Sequence, residues 1–303
     1  MLLALRPYRV FLASCLVFSA GVLALGNAHI GLVAALCLLI LVAGLPHGAF
    51  DLYIMAHRYQ GRFFALAIGG YLGLVALTVG IWFLLPLFFL GSFLIYSAYH
   101  FGDSDWPEAS LGQKLAWGTS IVSLPCLISS NEVALLFEVI TGTTGLGQFT
   151  ANLGMLAIPA TLWLGLSWLT RRQTKTSDDH AELPDEAIIG LLLACYATVC
   201  ALGGPLAAFA CYFACLHSPF HLDHWQRRLS QQSNYGIYAL SALVLGCVGA
   251  IAYWMPIGHI SSAQTLSDLA MQLDSSVLRY TFVALAALTV PHMTLLMLAK
   301  ARD

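Results

Sequence analysis

A chain of 303 residues in which 59% are hydrophobic and 9% charged is too poor in charge for an ordinary water-soluble domain, where about a quarter of residues are ionic. Its formal net charge is −2, and no basic patch of the kind a nucleic-acid binder needs is present. No Gly-rich phosphate loop, HExxH helix or Ser-His-Asp order occurs, which excludes kinase, zincin and serine-hydrolase chemistry.

Apolar runs of about 20 residues, the length of a bilayer span, recur along the whole sequence, so the expected fold class is an all-α, polytopic integral membrane helical bundle. Arg6 and Arg9 precede the first run, as in a signal peptide. The run is long and lacks an A-x-A cleavage site, so it is read as a first helix. About ten spans are expected, near 9–26, 30–50, 63–85, 87–101, 114–130, 151–170, 187–202, 205–222, 236–257 and 278–299, with eight as the lower count. The fifth is the weakest, diluted by Ser120, Ser123, Pro125, Ser129 and Ser130. A polar linker, Arg171 to Glu186, joins two spans, and residues 1–303 are read as one transmembrane domain. The eight cysteines all sit in apolar segments and none forms CxxC, so they are read as reduced packing residues.

Basic residues orient the chain. With ten spans and a cytoplasmic N-terminus, every one of the 13 Lys and Arg except Arg279 falls on the inner side. The C-terminus is then cytoplasmic too. The same topology puts His47, His100, the pair His217 and His221, and His292 at similar depth, toward the inner ends of four different spans. Ionisable residues inside a membrane are costly and face the bundle interior, which makes them candidates for function. His29, His180 and His259 fall in loops, and His57 lies beside Arg58 at the surface.

Within Leu216–Trp225, His217 and His221 are one helical turn apart, a spacing by which one helix face can present two nitrogens to a metal. Pro219 between them tends to kink the helix, and His224 extends the same stripe. Acids placed to accept from the second ring nitrogens are Asp51, one turn after His47, together with Asp103 and Asp223. Asp51 is favoured among them. Phe50, Tyr53, Tyr96, Tyr99, Phe101, Trp106, Tyr212, Phe213, Phe220 and Trp225 surround the histidine positions. Such aromatics serve as an interfacial belt or as the lining for a long apolar substrate. Imidazoles without thiolate suit iron, copper or zinc. The alternative is four unrelated histidines, each bonded to a neighbouring carbonyl.

Gly44-Leu45-Pro46-His47-Gly48-Ala49-Phe50-Asp51, His100-Phe101-Gly102 followed by Asp105, His217-Ser218-x-x-His221, Asn131-Glu132-Val133 and Leu288-Thr289-Val290-Pro291-His292-Met293 resemble segments of the Brp/Blh-type β-carotene 15,15′-dioxygenases. The similarity keeps this order from about residue 37 to 300. It implies a multi-pass protein of a prokaryotic (inner) membrane that uses Fe(2+) and O₂ to cleave the central double bond of β-carotene into two all-trans-retinal molecules, with a microbial rhodopsin as retinal acceptor. Carried over by position, the iron ligands and catalytic residues are His47, His100, His217 and His221. Asp51, Tyr96, Tyr99, Phe101, Phe213, Phe220 and His292 are expected behind the ligands or along the substrate. Residues 1–28 look like an extra N-terminal helix, and Ser218-Pro219-Phe220 stands where the family often has basic residues. Competing classes are a ceramidase-like zinc amidase, using a metal-activated water, and a bis-His haem electron carrier.

Overall fold

In a chain this apolar, backbone polar groups must be satisfied within their own segment, and helix is the way to do so. The computed structural model describes residues 5–25, 32–174, 186–222, 246 and 266–300, and among these there is no strand. The helices are α1 (Arg9–Leu25), α2 (Leu32–Arg58), α3 (Arg62–Leu84), α4 (Pro86–Asp105), α5 (Leu111–Ile128), α6 (Ser130–Thr141), α7 (Gly147–Met155), α8 (Ala157–Thr174), α9 (Glu186–Gly203), α10 (Pro205–Tyr212) and α11 (Leu266–Lys300). The predicted span 236–257 apart from residue 246, most of the polar linker, and His29, His180, His224 and His259 lie outside the described residues. So does the side chain of His47, which is carried on α2.

Several boundaries differ from those expected. Helix α2 continues past 50 to Arg58 because Asp51, Ile54 and Met55 all pack inward, so tertiary contact outweighs the polar dilution that ends the apolar run. Helix α4 reaches Asp105. The long helix α11 starts at Leu266 rather than 278. Helix α6 was not expected as a separate element. It follows α5 at a bend of 109°, made where Ser129 leaves helical geometry at φ −130° and ψ 50°.

Among the described residues two helical stretches are long and apolar enough to cross a bilayer, Arg62–Leu84 and Gly147–Ser167, and a third qualifies if α5 and α6 count as one span. Leu32–Leu45 and Ala187–Gly203 are shorter apolar helices. Helix α3 turns Phe63, Leu66, Leu72, Leu77 and Phe83 outward.

The chain divides into two compact units. The first comprises Met1–Asn27, Ser92–Glu138 and Thr144–Phe220. Its centre is α5, which packs against α7, α8 and α9, while α1 packs on α9 and α10. Ser110 caps α5 by accepting from the Gln113 N–H, and the Gln113 side chain accepts from the Ser110 N–H in return, a capping box. Two of the serines that weaken the predicted fifth span, Ser120 and Ser123, are buried but satisfied. Ser120 and Ser123 donate to the carbonyls of Ala116 and Thr119, one turn back. Helices α4 and α5 touch backbone to backbone. A Cβ at Gly118 would overlap the Ala98 carbonyl, and one at Gly102 would overlap the Lys114 carbonyl. Small residues permit this approach, and both contacts flank His100.

Beyond α10 the helix widens into one π turn, Phe213–His217, closed by the Ser218 N–H donating to the Phe213 carbonyl. Pro219 explains it. The proline has no N–H for the Cys215 carbonyl and its ring crowds that carbonyl, so the preceding turn opens. Helical conformation then continues to Leu222. Cys15 and Cys211 bring their sulfurs to 3.8 Å, and among the described cysteines none is in a disulfide.

The second unit comprises Ala28–Gly91, Val139–Thr143 and His221–Asp303. Helices α2 and α3 both pack along α11. Ile54, Met55 and Leu295 form a buried cluster, with Tyr53, Phe64, Ile68 and Tyr71 against it. Arg279, the basic residue predicted on the outer side, donates from Nε to the Val139 carbonyl at 2.6 Å. This puts a cation at the C-terminal end of α6, where the helix dipole favours it.

Candidate metal centre

In the first unit, α4 supplies His100 and Asp105, α5 supplies Trp117, α10 supplies Tyr212 and the π turn supplies His217. All five are buried. The Nδ1 of His217 is 2.7 Å from Asp105 Oδ1. Tyr212 donates its hydroxyl to Asp105 Oδ2 at 2.6 Å, and Trp117 Nε1 donates to the same oxygen at 2.8 Å. Asp105 as a carboxylate only accepts, which favours the His217 tautomer with its proton on Nδ1 and a lone pair on Nε2. That lone pair points at His100 Nε2, 3.2 Å away. Phe213 stacks on the His217 ring and Phe101 meets it edge-on.

The second unit repeats the arrangement with different helices. The Nδ1 of His292 on α11 is 2.6 Å from Asp51 Oδ1 on α2. Tyr71 of α3 donates its hydroxyl to Asp51 Oδ2 at 2.9 Å. His292 Nε2 faces His221 Nε2 at 3.1 Å. Asp51 is 1% exposed, and both histidines are buried.

Each unit therefore holds a carboxylate, a histidine fixed by it, and a second histidine met through Nε2. Two nitrogens bound cis at about 2.1 Å from one ion stand about 3.0 Å apart. The spacing also suits one proton shared between the rings, so metal uptake would displace that proton. Among the described residues no group of three or more His, Cys, Asp or Glu stands at metal-holding distance within one cluster. The donor chemistry nevertheless fits a borderline divalent ion: buried imidazoles whose far nitrogens are held by carboxylates, as ligating histidines are.

The expected site residues are distributed as follows. Asp51, expected as an acceptor one turn after His47, has its Oδ1 against His292 Nδ1. Asp103, expected in the same role beside His100, meets a lysine. Its carboxylate pairs with Lys114 Nζ at 2.9 Å, and Asp105 backs a histidine instead. Asp105 lies five positions after His100 on α4, so its side chain leaves a different face from His100 and meets His217. Phe101 and Phe213 line His217, while Phe220 packs on Tyr8 at 5.4 Å. Tyr96 and Tyr99 are half-buried on α4, and His57 is exposed at the end of α2. Tyr71 and Trp117 were missed as site residues. Their signal was a polar handle inside an apolar run, since a buried Tyr or Trp needs a partner.

An apolar cavity of about 360 Å³ between α5, α8 and α9 is lined by Leu124, Thr161, Leu164, Ile189 and Leu193 among others, none of them histidine.

This chain, helical in its described segments and with carboxylate-backed histidine pairs, matches the family model described as Beta-carotene 15,15'-dioxygenase over residues 38–299, and it belongs to that family. A protein of uncultured marine bacterium 66A03, named Beta-carotene 15,15'-dioxygenase, is 32% identical over 274 residues, covering 85% of this chain and 90% of the relative. No solved structure matches.

Proposed function

We propose that this chain is an iron-dependent membrane dioxygenase that cleaves the central 15,15′ double bond of β-carotene with O₂, giving two all-trans-retinal molecules. One oxygen atom ends in each aldehyde. The observation that carries this reading is the buried carboxylate–histidine–histidine arrangement, present in a chain of this family. His47, His100, His217 and His221 would hold Fe(2+), the four that the motif resemblance implies. The ion would supply the activation of O₂ that a hydrocarbon substrate cannot provide itself.

The protein's own work is orientation and exclusion of water. Asp105 and Asp51 keep Nδ1 of His217 and His292 protonated, which leaves the Nε2 lone pairs available. Phe101 and Phe213 surround His217 with apolar surface, which favours a polyene and keeps water from the reacting alkene. No residue of the site has to act as a general acid or base.

The outward-facing leucines and phenylalanines of α3 support a bilayer setting, because a soluble monomer rarely leaves so large an apolar face uncovered. We place the chain as a multi-pass protein of a prokaryotic inner membrane.

Expression in β-carotene-producing cells with retinoid analysis of the extract tests the function. Retinal is expected as the main product. Eccentric apocarotenals would show that the substrate is held in a different register. Stoichiometric zinc, with activity restored by zinc and not by Fe(II), would replace this reading with a hydrolase.

A further inference from the structure

His292 enters the motif resemblance only as a residue behind the ligands or along the substrate. Its geometry is that of a ligand. It lies in the interior of α11, 3% exposed, and its Nδ1 meets Asp51 Oδ1 at 2.6 Å. The second oxygen of Asp51 is taken by the Tyr71 hydroxyl. The carboxylate therefore holds the imidazole proton on Nδ1, and the His292 lone pair is directed from Nε2 at His221 Nε2, 3.1 Å away.

Three contacts of His217 recur here, with Asp51 in the place of Asp105, Tyr71 in that of Tyr212 and His221 in that of His100; the Trp117 bond to Asp105 has no counterpart at Asp51 among the described residues. Local sequence does not explain the likeness. His217 and Asp105 are 112 residues apart, whereas His292 and Asp51 are 241 apart. A histidine needed only for packing requires neither a buried carboxylate at its back nor a tyrosine to hold that carboxylate. Burying such groups is costly unless each is fully bonded. Here the bonding leaves one lone pair facing another imidazole, the state a metal ligand needs.

We propose that His292 binds the iron, with Asp51 as its positioning carboxylate and Tyr71 as the group that orients Asp51. This rests on the iron-dioxygenase reading above. His221, whose Nε2 it faces within the same unit, would share the ion with it.

The test is anaerobic titration of the purified full-length protein with Fe(II), in competition with a chromophoric chelator. Wild-type protein is expected to take up one equivalent. His292→Ala should weaken binding by at least about 100-fold, and Asp51→Asn by about 10–100-fold. Tyr71→Phe should weaken it by less, and His57→Ala should not change it. Added imidazole should restore binding to His292→Gly, which a packing role would not do. If His292→Ala fails to fold, His292→Gln keeps an N–H for Asp51 and should still lose the iron. Folded His292→Ala or His292→Gln with wild-type affinity, in protein that binds iron and makes retinal, overturns this inference alone. Wild-type protein that takes up no Fe(II) overturns the dioxygenase reading and this inference with it.

Discussion

His217 Nδ1 and Asp105 Oδ1 stand 2.7 Å apart, and neither side chain reaches the surface by more than 1%. The pair favours the tautomer that carries its proton on Nδ1 and turns Nε2 to His100. Asp105→Asn keeps the shape but replaces one acceptor oxygen with a donor, facing groups that already donate. Iron affinity and retinal formation are expected to fall about 10–100-fold, measured by Fe(II) titration and by product analysis. Asp105→Ala should also destabilise the fold, because Trp117 Nε1 and the Tyr212 hydroxyl lose their partner at about 1–3 kcal/mol each. Thermal unfolding in detergent reads this.

The histidines should sort by position. His47→Ala, His100→Ala, His217→Ala and His221→Ala are each expected to abolish retinal formation with normal membrane insertion. His57→Ala, at an exposed helix end, should retain it. Retained iron and activity in His217→Ala or His221→Ala would remove the proposed centre.

Backbone contact between α4, which carries His100 and Asp105, and α5 keeps Asp105 within reach of Trp117. Gly118→Ala drives a methyl into the Ala98 carbonyl, and overpacking of this kind costs about 1–3 kcal/mol. The melting temperature and activity should fall together. Gly73→Ala, whose added methyl meets nothing within 4 Å, should leave both unchanged.

The basic residues predict that both termini are cytoplasmic and that the 258–276 segment faces the other side. Reporter fusions after Asp303 and within that segment should give opposite signals. The same signal from both would overturn the ten-span topology.

The sequence alone was enough for the helical class, for the family and for the histidine types worth testing, because these depend on composition, local period and short motifs. The length of an apolar run announces a helix without regard to what it touches. Local reasoning failed where packing decided. Asp103, three positions after His100, was the acid that proximity suggested, yet its carboxylate meets Lys114 across α5, while Asp105 turns to another face and finds His217. The π turn before Pro219, the bend at Ser129 and the extension of α2 to Arg58 likewise arise from relief of a clash, a departure from helical φ and ψ, and burial against other helices. Tyr71 and Trp117 gave no motif at all. Their hydroxyl and indole N–H became site groups only when the chain brought a distant carboxylate to each. Pairings such as Asp51 with His292 join residues 241 positions apart, and only tertiary structure can bring them within hydrogen-bond distance.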